Sequence, residues 1–381
     1  MGVQELQVLL GVAALLAVVA VAVMVGALIS NRRLRSSLAQ LQDLREQEAQ
    51  ERAAAAAQDR RRVGLVLNPT KAEATTVARQ VHRACSRAGI GAPMIYETTA
   101  SDPGYSMARE AVADGADVVL AAGGDGTVRK VAAALADGPV SLGVIPMGTG
   151  NLFARNIGLP YHDLEACIDE ALHGPGSAVD IVDLALTHLD GAIVHEHSLV
   201  IAGAGMDAEV MGGTRDVLKE RAGWLAYGEA GARHLIGHRH PVTFSVDHEP
   251  PRPHKVRSVL LANCGSLQAG MVLVPSARFD DGRLDTVLFT PRHLWDWIRI
   301  VAKTVTRSSA ELPVMQVRQG RTAVLESQEP MPFQIDGDAL GEVVRVEAGV
   351  RAGAVQVNGV LRLPARRQTL AEVLSPPSTG S

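Results

Sequence analysis

Short apolar runs alternate with amphipathic, helix-period stretches through the first half of the chain, and from about residue 178 the runs become short, close and turn-bounded. Val63-Gly64-Leu65-Val66-Leu67 predicts a buried strand that leaves into a turn at Asn68-Pro69. Ala74 to Ala88 carries apolar positions at helical spacing, Pro93 to Tyr96 predicts a second strand ending at Thr98-Thr99, and Met107 to Asp114 predicts the next helix. Val118 to Ala122 then runs into Gly123-Gly124-Asp125-Gly126-Thr127 and out into the alanine-rich Val128 to Leu135. Val140 to Ile145 is another apolar run, and it ends in Pro146-Met147-Gly148-Thr149-Gly150-Asn151. Strand and helix alternating in this order predict a doubly wound, parallel α/β sheet.

Helical patterns over 152–158 and over Leu164 to Leu172 are followed by a break at Gly174-Pro175-Gly176. Beyond it, Val179 to Leu186 and Ala192 to Ile201 predict strands joined by a turn at Asp190-Gly191. Val242 to Val246, Val256 to Asn263, Leu284 to Phe289, Ala323 to Glu326 and Phe333 to Ile335 keep that short-strand character. Helical excursions are expected between about Asp207 and Gly237 and from His293 to Thr306. The predicted fold class is α/β plus β. An α/β nucleotide-binding domain covers 63–178 and is rejoined by strands at about 343–363, while a β-rich, sandwich-like domain covers 179–342. His234, His238 and His240, close to Arg233 and Arg239, read as a polar, solvated helix end rather than as metal ligands.

The two glycine turns carry the first chemical argument. Glycine lets backbone approach an anion with no Cβ in the way, and the unpaired N–H groups of a loop and helix N-terminus point at negative charge. Two such turns, about twenty residues apart and each leaving a strand, would lie side by side at the carboxyl ends of neighbouring parallel strands, where open α/β sheets bind ligands. Neither is a Walker A sequence, because no Gly-Lys-Ser/Thr follows. Phosphates would be held by backbone amides, Thr hydroxyls and a metal carried by acids.

Composition adds limits. With 381 residues, 47% hydrophobic and 20% charged, the chain can bury two cores and leave a tail. A net charge of -4 and an aromatic content of 3% give no reason to expect nucleic acid. Cys85, Cys167 and Cys264 are widely spaced and odd in number, which suits buried, reduced thiols. From Leu6 to Ile29 no residue is charged, and Arg32, Arg33 and Arg35 follow directly. The expectation is a transmembrane helix over 6–29 with the catalytic part on the cytoplasmic side of the cell membrane. Residues 31–62 read as a solvated helical stalk. Its leucine seam, Leu34, Leu38, Leu41 and Leu44, would also suit a homodimer but stops after about two heptads. The Pro/Ser-rich end, 364–381, reads as disordered.

GGDGT followed by PxGTGN resembles the diacylglycerol kinase catalytic-domain family, which includes bacterial lipid kinases and sphingosine-kinase-like enzymes. The similarity extends with gaps from about Val63 to about Leu363. NAD kinases resemble the first motif alone. The resemblance implies ATP and Mg²⁺, an ATP-binding α/β domain and a lipid-binding β-rich one. It implies nucleotide contacts at Asn68, Thr99, Gly123, Gly124, Asp125, Gly126, Thr127, Gly148, Thr149, Gly150 and Asn151. The segments Ala202 to Ala208 and Gly223 to Tyr227 resemble family segments that line the cleft, and would either part for an acyl chain or serve as plain core.

Transfer of a γ-phosphoryl group to a hydroxyl needs the phosphate held, its charge offset and a base beside the attacking oxygen. Asp125, inside the first turn, is the first choice for the metal, and Asp180 matches another family acid, with Asp183 close enough to be the counterpart. Asp338, in Gln334-Ile335-Asp336-Gly337-Asp338, stands where the family has its proposed glutamate base and is one methylene shorter. Asp281, with the carbonyls of Arg278 and Arg283, resembles the family's structural Mg²⁺ site. Two departures stand out. Leu152 replaces an acid, and Arg129-Lys130 replaces Asn-Glu, where it would meet phosphate or headgroup charge or else face solvent. The expected activity is ATP-dependent phosphorylation of diacylglycerol. A sphingoid base or other lipid alcohol, an NAD-kinase-like reaction, and a nucleotide- or lipid-binding scaffold without turnover are the alternatives.

Overall fold

The computed structural model describes residues 61–205, 238–266, 272–306 and 312–361. The segment expected to span a membrane (6–29), all but the last two residues of the stalk, the excursion over 206–237 and the tail over 364–381 lie outside the described residues. Among the described residues no helix is long and apolar enough to cross a membrane. That finding corrects the expectation of a single-pass protein of the cell membrane: the described apolar runs are strand-length pieces or one-sided helix faces.

The α/β part forms as its pattern predicts. Strands β1 (Val63–Leu67), β2 (Met94–Glu97), β3 (Val118–Gly123) and β4 (Ser141–Pro146) alternate with helices α1 (Ala74–Arg87), α2 (Tyr105–Ala113) and α3 (Asp125–Leu135). The strands are parallel, in the order β4-β3-β1-β2. Every residue of β1 and β3 is buried. Parallel strands covered on both faces read as unbroken apolar runs for that reason. Helix α1 buries Val77, Val81, Ala84 and Cys85 along one face. Helices α4 (Leu152–Asn156) and α5 (Leu164–His173) follow β4, and Asp163 caps α5 by accepting from the Ala166 N–H at 3.1 Å. All three cysteines are buried thiols, outside any disulfide.

The second half supplies β5 (Gly176–Thr187), β6 (Ile193–Ser198), β7 (Ile201–Gly205), β8 (His240–Val246), β9 (Arg252–Val256), β10 (Ser258–Ala262) and β11 (Leu284–Phe289). Helix α6 (Leu294–Thr306), β12 (Met315–Gly320), β13 (Thr322–Ile335) and β14 (Asp338–Asn358) complete the described elements. The main path of the sheet is β12-β11-β10-β7-β13-β14-β4-β3-β1-β2, with β5 and β6 branching from β14, and β8 and β9 from β13. Strands expected separately at 323–326 and 333–335 are one strand, β13, whose register with β14 shifts between Glu326 and Met331. The chain expected to return to the α/β half from about 343 starts as a strand at Asp338 and lies along β13 and β5 first. It reaches β4 at its far end, where Val357 pairs with Leu142.

One hairpin sets the position of a candidate catalytic acid. β13 and β14 are joined by Asp336-Gly337, with φ of +51° and +93°, and Ile335 pairs with Asp338 across the turn. Two central residues with positive φ fit the sharp twist of an antiparallel pair, and Asp-Gly is among the few dipeptides that adopt that shape readily. Asp338 is thereby the first residue of a strand rather than a loop residue.

Candidate active site

Both glycine turns leave the carboxyl ends of neighbouring strands, β3 and β4, and they touch. Met147 N–H donates to Gly123 C=O at 2.8 Å. A Cβ on Gly148 would lie 3.1 Å from the Gly124 Cα and 2.9 Å from Asn151 Oδ1, so the approach of the two turns requires glycine there. Asn151 closes the second turn: its backbone is left-handed at φ +46°, its Oδ1 accepts from Gly148 N–H at 2.9 Å and its Nδ2 donates to Gly148 C=O at 2.8 Å. On the first turn, Gly124 is extended and α3 begins at Asp125. The first helical bond runs from Val128 N–H to Gly124 C=O at 3.1 Å, so the amides of Asp125, Gly126 and Thr127 have no partner within the helix. A helix end of this kind, at the mouth of the two turns, is suited to an anion. Thr127 is buried beneath Gly123, whereas Thr149 is exposed.

Three carboxylates converge on this end of α3. Asp125 accepts from Phe153 N–H at 3.4 Å, and its pKa is pushed up to about 6, first by burial and then by the charge of Asp336, with Asp338 adding to it. Asp338 comes from the hairpin: a Cβ on Gly126 would sit 3.0 Å from its Oδ2. Its side chain is half exposed, at 50%. Asp336 is buried, accepts from Ser198 Oγ at 3.2 Å, Val200 N–H at 3.2 Å and Ile201 N–H at 2.9 Å, and so fastens the hairpin tip to β7. Burial pushes its pKa up, and the Arg129 charge opposes the rise.

Arg129 is the cation among them. From α3 its Nη1 donates to Ile335 C=O at 2.9 Å and lies 3.5 Å from Asp336 Oδ2, while its Nη2 lies 3.3 Å from Asp338 Oδ2. Its side chain is 5% exposed. The next residue, Lys130, pairs with Glu196 on β6 at 2.7 Å. Arg129 and Lys130 therefore meet protein carboxylates, and the expectation that they face phosphate, headgroup or solvent is corrected. Sequence reasoning missed this pairing. The signal was two cations where the resembled family has Asn-Glu, with acids available at the distant hairpin.

The other residues expected at the site are spread more widely. Asn68 follows β1, its N–H bonded to Ala122 C=O at 3.0 Å and its Oδ1 accepting from Thr70 N–H and Oγ at 3.0 and 2.7 Å. Thr99 is exposed after β2, with its Oγ1 accepting from Asp102 N–H at 3.1 Å. Asp180 is buried, and each of its oxygens accepts one amide, Gly282 N–H and Gly353 N–H, both at 2.7 Å. Burial raises its pKa, and the charges of Asp281 and Asp280 add to that. It thus groups with the 280–283 turn. In that turn Arg278 is tied to Asp280 at 3.0 Å and Asp281 accepts from Arg283 N–H at 3.0 Å. Asp183 faces Arg351 at 2.8 Å and His197 at 3.5 Å. Beside the second turn a cleft of about 460 Å³ is lined by Met147, Gly148, Thr149, Asn151, Arg155 and Tyr161, with the Arg155 guanidinium 4.2 Å from the Tyr161 ring centre.

Comparison with known proteins finds relatives along most of the described chain. Residues 62–184 match the family model of the diacylglycerol kinase catalytic domain, and residues 200–359 match that of the YegS C-terminal NAD kinase beta sandwich-like domain. The diacylglycerol kinase of Bacillus subtilis (strain 168) is 27% identical over 284 residues, covering 73% of this chain and 90% of that protein. The probable lipid kinase YegS-like of Pseudomonas aeruginosa (strain UCBPP-PA14) is 30% identical over 273 residues, covering 70% of this chain and 83% of that protein. A diacylglycerol kinase crystal structure from Bacillus anthracis has the same fold, with a TM-score of 0.58 at 18% identity, over 79% of this chain and 98% of that one.

Proposed function

The chain belongs to the diacylglycerol kinase catalytic-domain family and is an ATP-dependent lipid kinase; on that premise we propose that its acceptor is the free hydroxyl of diacylglycerol, that the two glycine turns hold the ATP phosphates, and that Mg²⁺ is the metal. The observation that carries the reading is the convergence of Asp125, Asp338 and the open amides of α3 on one mouth.

The residues present fit a divalent cation. Asp125 is a largely buried acid whose pKa is raised by burial and by two neighbouring acids, and Asp338 is within reach of the same turn. Burying that much negative charge is costly, and a hard cation with oxygen ligands relieves it. When bound there, Mg²⁺ would offset charge on the β- and γ-phosphate oxygens. Asp125 would hold it. The amides of Asp125, Gly126 and Thr127, with those of the second turn, would orient the triphosphate, and the low-dielectric site strengthens each such contact. Asp338, half exposed beside Gly126, takes the proton of the lipid hydroxyl as its oxygen bonds to the γ-phosphorus and the bond to the ADP oxygen breaks. Arg129 fixes the Asp338 carboxylate, which restores placement that a side chain one methylene shorter would otherwise lose.

Asp180 anchors the 280–283 turn to β14 through its two amide contacts. A second Mg²⁺, on Asp281 with the carbonyls of Arg278 and Arg283, is the structural part of this reading. The mutual repulsion of Asp180, Asp280, Asp281 and Asp285 at that turn supports it. The test is transfer of radiolabelled γ-phosphate from ATP to diacylglycerol, a sphingoid base, a monoacylglycerol and NAD by the full chain. Preferential labelling of diacylglycerol supports the assignment, and preferential labelling of any other acceptor replaces it.

A further inference from the structure

His238, His240 and Glu329 lie outside the mouth of the two glycine turns and belong to none of its contacts. β8 and β13 are antiparallel, with Val242 opposite Ser327. Two residues further along each strand, His240 and Glu329 face one another. Glu329 Oε2 is 2.5 Å from His238 Nε2 and 3.6 Å from His240 Nδ1, and the two imidazole rings stand edge-on at 89° with centres 4.9 Å apart. All three donor atoms lie within 4.8 Å of one another. The solvated helix end expected for these histidines is corrected for His240, which is in a strand with its side chain 13% exposed, while His238 is exposed just before that strand and the carboxylate comes from a strand far away in sequence.

We propose that this His-His-Glu cluster is a binding site for a borderline transition-metal cation of the Zn²⁺ type, separate from the Mg²⁺ of the kinase reaction. Two imidazoles and one carboxylate select Zn²⁺ over Mg²⁺, which prefers all-oxygen octahedra. Metal–ligand bonds of about 2.0–2.1 Å in a tetrahedron set donor atoms about 3.3 Å apart. The His240–Glu329 separation of 3.6 Å is close to that, and the exposed His238 side chain has to turn so that its Nε2 moves about 0.8 Å away from Glu329 while staying on the side of His240, whose donor atom is within 4.8 Å. Three protein ligands leave one position to water. Two guanidiniums border the cluster, but both are held by carbonyls: Arg257 Nη1 by His238 C=O at 2.9 Å, and Arg239 Nη2 by Lys255 C=O. Their charge weakens the binding of a cation without supplying or blocking a ligand. The consequence for the fold is a pin between the start of β8 and the shifted register of β13.

The test is calorimetric titration of the metal-free full chain with Zn²⁺, near neutral pH and in excess Mg²⁺ so that oxygen sites are filled. The wild type should bind one equivalent that Glu329→Gln and His240→Ala each lose or bind at least tenfold more weakly, while His82→Ala, at an exposed position on α1, leaves it unchanged. Glu329→Gln is isosteric at a part-exposed position, and its circular dichroism should match the wild type. Absence of saturable Zn²⁺ binding, or binding that both cluster variants retain unchanged, overturns the site and leaves a His–Glu ion pair.

Discussion

The Arg129 guanidinium lies 3.3 Å from the Asp338 carboxylate, so the helix that carries the first glycine turn also holds the residue proposed as base. The same guanidinium faces the buried Asp336 at 3.5 Å. Removing one partner of a buried pair leaves the other charge uncompensated, which costs about 3–5 kcal/mol. Arg129→Met should therefore lower stability by about 3 kcal/mol in urea denaturation and lower kcat more than it raises the KM for ATP. Arg129→Lys keeps the charge and loses the fork, and should fall between the two. Wild-type stability in Arg129→Met would show that the pairing contributes nothing to the fold.

Asp125 gives a pH signature. Its folded pKa of about 6 is above the ordinary 3.8. Between those values the folded chain keeps a proton that the unfolded chain has lost, so stability falls as pH rises from about 4 to about 6, and above that the buried carboxylate costs on the order of 3 kcal/mol. Asp125→Asn should be more stable than wild type at about pH 7.5, and the gap should close as pH drops through about 6 toward about 4. In the wild type, kcat/KM should have an acidic limb near the same pH, because only the ionised group takes a divalent cation.

Gly148→Ala tests the contact between the turns. Its Cβ would be 3.1 Å from the Gly124 backbone and 2.9 Å from Asn151 Oδ1, too close for either to stay. The KM for ATP should rise about tenfold, equivalent to about 1.4 kcal/mol of lost binding, with the KM for lipid little changed. An unchanged KM for ATP would place the nucleotide elsewhere.

Asp180→Ala separates anchor from catalyst. It strips the acceptor from Gly282 N–H and Gly353 N–H, and because Gly282 is only part-buried and Gly353 exposed, so that water can replace part of what is lost, the cost should be about 1–2 kcal/mol. Thermal melting should show that loss, while the Mg²⁺ concentration giving half-maximal kcat in the surviving folded fraction should not move. A shift in that concentration would return Asp180 to the catalytic metal.

What is legible in the chain depends on the range of each interaction. β1, β3, β4 and the glycine turns are local patterns: burial on both faces forces apolar runs, and close backbone approach forces glycine, so both are written residue by residue. The Asp-Gly turn before Asp338 is legible for the same reason. Arg129 is not, because nothing near it in sequence says that a hairpin some two hundred residues later will meet it. The same holds for Glu329 beside His240, brought together by strand register, and for Asp180, whose amide partners come from the 280–283 turn and from β14. The single strand β13 reads as two because its middle, Ser327 to Pro330, is polar and ends in proline where the register shifts.

The most direct measurement is γ-phosphate transfer to diacylglycerol by wild type, Asp125→Asn and Asp338→Asn, each first shown to be folded by circular dichroism. Asp125→Asn should be inactive at any Mg²⁺ concentration, and Asp338→Asn should lose about a hundredfold in kcat with its KM for ATP nearly unchanged. Full activity in both folded variants would contradict the proposed chemistry, because the crevice between the two turns would then not be where the phosphoryl group moves.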